Sequence, residues 1–393
     1  MPSHSIYIAA MQGVEAEDAW AVHSEARKRW RAGEKDLIVL SVGDHDFTTD
    51  ERIVDSAVSS LRAGHHHYTP SIGLVPLREK IAAFHSKRVG EPVGPENVAV
   101  VPGAQCGVFT AGLAVLDPGD HVIAFDPMYV TYYGALIARG ATLSQVPLHP
   151  ENDFLPDMEE VRAALRPETR AMVINSPNNP TGAVWPKETM EVIADFCREH
   201  DLWLISDEVY CTMTYEQPHH CPRLIEGMKD RTMSVYSFSK SHAMTGWRLG
   251  WVVADPKSIE AIEMVMGSML FGSPPFVQEA AMTALDAAED TVDSIRELYR
   301  HRRDRVCEGL AAVPKIKLRK PDAGMFLMLD IRETGWNAID FAWKLLEEQK
   351  VSLLPGEGFG KMLEGHLRLS YGASDETLDE AARRLSAFIQ KHG

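Results

Sequence analysis

Cysteine is scarce in this chain of 393 residues, and what there is does not form a framework. Cys106, Cys197, Cys211, Cys221 and Cys307 are scattered, odd in number and without a C-x-x-C pair. That excludes a disulfide-stapled fold and fits thiols kept reduced. Long apolar runs are missing too. No stretch reaches the ~18 residues a membrane helix needs, and the most apolar segment, Met264 to Val277, is interrupted by Gly267, Gly272, Pro274 and Pro275. Met1 to Ala10 has neither a basic start nor an adequate apolar block, so no secretory signal is expected and the reading is a cytoplasmic protein. An excess of basic residues is also lacking: 40 Lys and Arg against 56 Asp and Glu leave a net charge of −16. A nucleic-acid partner needs a concentrated basic surface, so none is expected. The one basic cluster, Lys315 to Lys320, alternates basic and apolar residues and reads as an exposed edge strand. Neighbouring histidines point in different directions, so neither His65-His66-His67 nor His219-His220-Cys221 is expected to hold a metal.

What is present is the composition of an ordinary globular protein, 45% hydrophobic and 24% charged, at a length that implies roughly two domains. Glu15 to Arg31 has helical periodicity and stops at Gly33, a C-cap residue. Leu37 to Val42 reads as a strand opening on Gly43-Asp44-His45-Asp46-Phe47, where glycine lets the backbone approach a ligand. From Asn97 onward strand and helix alternate. Strand Val98 to Val101 passes through Gly103-Ala104-Gln105 into a helix whose free N-terminal amides suit an anion. Strands at His121 to Phe125, Thr142 to Val146, Ala171 to Asn175 and Leu202 to Ser206 follow, with helices Tyr129 to Arg139 and Lys187 to His200 between them. Such alternation predicts an α/β fold with a mostly parallel sheet and a site at the strand ends. Gly103, Asn179, Asp207, Tyr210 and Lys240 all fall at those ends.

Beyond about Ala287 the pattern changes to an α+β unit. It has helices Val292 to Leu310, Ala338 to Lys350 and Asp375 to Gln390, and short strands that include Met325 to Asp330 and Leu367 to Ser370. The expected division is an N-terminal arm and part of the small domain at 1–46, a large domain at 47–286 and a smaller one at 287–393, joined by strand Leu37 to Val42. Gly356-Glu357-Gly358-Phe359-Gly360 lacks the spacing and following helix of a dinucleotide loop and reads as a flexible loop.

The stretch that organises the rest is Ser237-Phe238-Ser239-Lys240, running on to Arg248 between two apolar segments. A lysine at a sheet rim can lose its proton by desolvation and attack a carbonyl to form an imine, while Arg248 and the serine hydroxyls can hold a phosphate. That pair of functions points to pyridoxal phosphate.

With these motifs in this order, the chain resembles the class I aminotransferases, pyridoxal-phosphate enzymes of fold type I, from Gly43-Asp44 to Arg368-Leu369-Ser370. Within the class it is most similar to the arginine–pyruvate and aspartate aminotransferase-like subgroup. The resemblance implies a large domain with a seven-stranded mostly parallel sheet, a smaller discontinuous domain and a homodimer with shared sites. It makes Lys240 the imine-forming lysine, Asp207 the carboxylate on the cofactor's ring nitrogen, Tyr210 and Asn179 the partners of its ring oxygen, and Tyr129 the stacking aromatic. Gly103 with the Ala104 and Gln105 amides, Ser237, Ser239 and Arg248 would contact its phosphate. Tyr68 would reach the phosphate of the neighbouring subunit. Arg368, with Gly43 and Asn179, would hold the substrate's α-carboxylate. The familiar first motif has proline where this chain has His45. The activity implied is transfer of an amino group from an L-α-amino acid, arginine or another broad-range donor, to a 2-oxo acid such as pyruvate. Aspartate/2-oxoglutarate transamination, a β-lyase reaction and an effector-sensing regulator domain are the alternatives.

Overall fold

Apolar runs separated by capped helices are laid down as strands of one sheet covered on both faces. The computed structural model describes residues 17–392, together with Ser5, Tyr7, Ile8 and Met11. In chain order the elements are α1 (Glu17–Arg31), β1 (Ile38–Val39), α2 (Glu51–Arg62), α3 (Val75–Val89), β2 (Val98–Val101), α4 (Ala104–Val115), β3 (His121–Asp126), α5 (Tyr132–Ile137), β4 (Thr142–Pro147), α6 (Met158–Ala163), β5 (Thr169–Asn175), α7 (Lys187–Glu199) and β6 (Trp203–Asp207). There follow β7 (Thr232–Ser237), α8 (Phe238–Ser241), β8 (Gly250–Val253), α9 (Pro256–Met269), α10 (Pro275–Asp286), α11 (Ala288–Ala311), β9 (Lys317–Leu318), β10 (Phe326–Asp330), α12 (Ala338–Gln349), β11 (Val351–Ser352), β12 (Leu354–Pro355), β13 (His366–Ser370) and α13 (Asp375–His392).

The large sheet has seven strands in the order β2-β8-β7-β6-β5-β3-β4. β8 alone runs against its neighbours; the other ladders are parallel. Every residue of β2, β3 and β7 is buried, which explains why these strands read as continuous apolar runs. Register then sets the site. Asn175 pairs with Asp207, and Asp207 with Val235, so β5 and β6 end at one level while β7 runs two residues further to Ser237, and each of the three ends on a polar side chain.

The last part of the chain builds a four-stranded sheet, β12-β13-β10-β9, and β1 pairs in parallel with β11, Ile38 opposite Val351. One apolar cluster joins Val22, Ala26, Ile38 and Leu40 to Leu345, Leu369 and Phe388. The strand predicted at 37–42 therefore does pair with the C-terminal unit. Helix α11 carries Val292, Ile295, Tyr299, Val306 and Leu310 on its buried face, the spacing of an amphipathic helix. Basic Lys317 lies on an edge strand, as the alternation predicted.

Two expectations change. The helix expected over 129–139 is confined to Tyr132–Ile137, which leaves Tyr129 on the approach to it, at the cavity. The loop read as flexible, 356–360, is a buried 3₁₀ turn held by Gly365 N–H on Glu357 and by Met128 N–H on the Phe359 carbonyl. Glycine is needed there because a Cβ at Gly356 would lie 2.5 Å from the Leu363 carbonyl oxygen. Among the described residues no helix is long and apolar enough to cross a membrane.

Candidate active site

The strand ends and the Lys240 segment enclose a cavity of about 190 Å³. Lys240 follows β7 directly. Ser237 caps the short turn α8 by accepting the Ser239 N–H at 3.0 Å, and this turn carries the lysine back over the sheet edge. Its ammonium nitrogen lies 2.5 Å from the Gly43 carbonyl. Burial lowers the lysine pKa to about 8; Asp44 opposes the shift, while Arg368 and Arg248 add to it. An amine in that range is partly unprotonated at neutral pH and is a competent nucleophile and base.

Asp207, at the end of β6, accepts hydrogen bonds from the Tyr132 hydroxyl and from Val209 N–H. Burial raises its pKa to about 6, and the Tyr132 contact holds it down. It is a carboxylate that would profit from a cation or an N–H⁺ donor placed against it. Asn175 braces the strand end by donating to the Asp207 carbonyl at 3.0 Å.

Arg368 projects from β13 and is 2% exposed. It donates to Asn179 Oδ1 at 3.0 Å and to the Ser41 carbonyl at 2.9 Å, and lies over the Phe326 and Phe359 rings at 4.0 and 4.4 Å. Its Nε has no partner among the described residues. A guanidinium carries five N–H donors, so most of its capacity is left for a bidentate anion. Burial lowers its pKa to about 10, so it stays cationic.

A second anion position lies at the start of α4. Gly103 has φ +85, and a Cβ there would lie 2.5 Å from Arg248 Nη2. Arg248 is held by the Thr245 carbonyl at 2.8 Å. Ala104, Gln105, Ser237 and Ser239 line the cavity beside it, where the free amides of a helix N-terminus favour negative charge. One cavity thus has a cationic helix N-terminus, an amine of lowered pKa, a buried carboxylate and an arginine with N–H donors to spare. That donor set fits pyridoxal phosphate.

Gly43, Tyr129, Asn179 and Tyr210 also line the cavity, so of the residues expected at the site only Gly103 and Tyr68 are not in the lining. Gly103 backs the Arg248 guanidinium, and Tyr68 is 89% exposed, against Phe271 and away from the cavity. Sequence reasoning missed Tyr132, Asn175, Trp20, Thr245 and Phe326, all of which line it. Tyr132 was hidden by its own neighbourhood: it sits three residues beyond Tyr129 in what read as one uniform helix.

The family model for aminotransferase class I and II matches residues 35–385. An arginine–pyruvate transaminase of Pseudomonas aeruginosa is 47% identical over 368 residues, covering 94% of this chain and 93% of the relative. An aspartate aminotransferase of Pyrococcus horikoshii is 37% identical, covering 91% of each chain. Among solved structures, the aspartate aminotransferase of Thermus thermophilus with maleate superposes at a TM-score of 0.91 with 35% identity, over 98% of this chain and all of that one. With a site of this chemistry and relatives matching nearly end to end, the chain belongs to the class I and II aminotransferases.

Proposed function

We propose that the chain binds pyridoxal 5'-phosphate on Lys240 and moves an amino group from an L-α-amino acid, arginine or another broad-range donor, to a 2-oxo acid such as pyruvate in two half-reactions. When bound, the cofactor supplies a carbonyl for the amine and a ring that withdraws electrons from the substrate's α-carbon. The single observation that carries the reading is Lys240, an amine of lowered pKa in the same cavity as the Asp207 carboxylate and the Arg368 guanidinium.

Each residue has a role that follows from its contacts. Arg368 binds and orients the α-carboxylate by its unused N–H groups, with Asn179 holding the guanidinium in plane. Lys240 would take the substrate's α-proton on its nitrogen as general base and, once protonated, act as the general acid that gives a proton back. Asp207 would hold a protonated ring nitrogen of the cofactor, and the Tyr132 hydroxyl fixes that carboxylate by its hydrogen bond. Tyr210 and Asn179 would hold the cofactor's ring oxygen, Tyr129 would pack on its ring, and Gly103, Ala104, Gln105, Ser237, Ser239 and Arg248 would hold its phosphate.

The donor preference is supported by the charges that remain. The cavity's cations are Lys240, Arg248 and Arg368; the phosphate and one α-carboxylate use the two arginines, and a second carboxylate finds no further arginine in the lining. Asp46 is consumed by a two-pronged pair with Arg302, at 2.7 and 2.9 Å. Asp44 is exposed and among the described residues is bound only through Oδ1, by Thr245 and by His45 N–H, which leaves its second oxygen for a cationic side chain. We read residues 47–286 as the cofactor-binding unit, 287–393 with part of 1–46 as the smaller unit, the assembly as a homodimer to which Tyr68 of each chain brings a phosphate contact, and the location as the cytoplasm.

The test is a half-reaction. With arginine and no oxo acid, the enzyme yields one equivalent of 2-oxo acid per site and stops until pyruvate is added. Continuous release of ammonia with oxo acid from a single amino acid would instead identify a lyase.

A further inference from the structure

His45 occupies the position where the family's first motif has proline, and it makes two contacts that proline cannot. Its Nε2 lies 3.2 Å from the Ser239 carbonyl, and its Nδ1 lies 2.9 Å from the Tyr299 hydroxyl. The tautomer is dictated by the partners. A carbonyl only accepts, so Nε2 carries the proton; Nδ1 is then an acceptor, and the Tyr299 O–H donates to it. The ring is neutral at working pH. Burial and the neighbouring Lys240 lower its pKa to about 4, against weaker pulls from the Ser239 carbonyl, Asp44 and Asp46. The Asp46 charge is already met by Arg302. Phe47 packs on the ring at 4.9 Å and Tyr299 meets it edge-on at 5.5 Å.

Tyr299 is fully buried on α11, so it is a fixed anchor. The Ser239 carbonyl belongs to the peptide whose nitrogen is that of Lys240. On the other side, Gly43, two residues before His45, accepts the Lys240 ammonium. The segment 43–45 therefore grips the lysine at both ends, its side-chain nitrogen through Gly43 and its peptide through His45.

We propose that His45 is a positioning residue for Lys240, transmitting the fixed position of Tyr299 to the Ser239–Lys240 peptide so that the amine stays at the Gly43 carbonyl. The proposal rests on Lys240 being the reactive amine. Losing a buried neutral hydrogen bond of this kind predicts that His45→Phe lowers kcat about tenfold while KM for the amino donor changes by less than about twofold. His45→Gln, whose amide can donate to the carbonyl and accept from the tyrosine, restores most of the rate, and Tyr299→Phe reproduces part of the loss.

A second readout does not require turnover. In the full-length protein freed of cofactor, reductive methylation of Lys240 followed by mass spectrometry against pH reports where the amine loses its proton. The native midpoint is expected at about 8, and in His45→Phe it rises toward that of an ordinary lysine as the amine gains water. A native kcat in His45→Phe, an equal loss in His45→Phe and His45→Gln, or an unmoved methylation midpoint would each overturn the proposal. If His45→Phe does not fold, Tyr299→Phe is held to the same midpoint criterion. A Lys240 that methylates normally in an enzyme without transaminase activity would count against the functional reading and leave the positioning role standing.

Discussion

Asp207 is a buried carboxylate whose charge is supported by the Tyr132 hydroxyl and the Val209 N–H. Burial raises its pKa to about 6, and the Tyr132 hydrogen bond acts against that rise. Removing the hydroxyl in Tyr132→Phe lets the pKa climb further. Because the ionised form is the active one, the acid limb of kcat/KM is expected to move to higher pH, and a pH profile of the two enzymes measures it. An unmoved limb would show that Tyr132 is packing alone. For Lys240 the sign is opposite: the cation is inert and the neutral amine reacts. Uptake of pyridoxal phosphate by the cofactor-free protein should rise roughly tenfold per pH unit and level off above about 8. Arg368→Lys keeps the charge but loses the planar fork, so KM for the amino donor is expected to rise by about one to two orders of magnitude, with a smaller fall in kcat. Lys240, Asp207 and Arg368 all line the cavity; the first two were legible in the sequence as chemically distinctive residues at strand ends, and Arg368 through the family resemblance alone. Tyr132 and Asn175 were not, since their importance comes from a strand register and a helix start that periodicity does not fix.

At the scale of elements, the turn from β2 into α4 is the part with least tolerance. Gly103 combines φ +85 with a Cβ position 2.5 Å from Arg248 Nη2. Gly103→Ala is expected to push the guanidinium out of place and to cost about 1–3 kcal/mol in backbone strain. The measurement is the dissociation constant for pyridoxal phosphate, which should weaken more than the melting temperature falls. The 356–360 turn teaches the complementary lesson. Its glycines suggested mobility, yet Phe359 is 3% exposed and forms one wall of the Arg368 sandwich. Composition alone could not distinguish a glycine chosen for freedom from one chosen because Leu363 passes too close. The strands of residues 98–253 were read to within about two residues of their ends, because buried strands leave continuous apolar runs that amphipathic helices do not; the helix over 129–139 was not.

Over the whole molecule, the N-terminal strand and the last third of the chain share one apolar cluster, while Arg368 from that unit and Lys240 from the large sheet line one cavity. The site is therefore built between two parts distant in sequence, and the pairing of Ile38 with Val351, with Leu40 bonded to Ser352 and Ser370, helps bring Gly43 to the lysine. The exposed Tyr68 and Phe271 fit a second copy covering this face. Sedimentation is expected to give twice the mass of one chain, and Tyr68→Ala to weaken cofactor binding without unfolding the subunit. A monomer with full activity would refute the shared site.

The central claim is that Lys240 is the residue that holds the cofactor covalently. Borohydride reduction of the holoenzyme followed by proteolysis and mass spectrometry tests it most directly. The account predicts that the cofactor's mass is found on the peptide containing Lys240 and on no other. Label on a different lysine, or none on a protein that still transaminates, would contradict it.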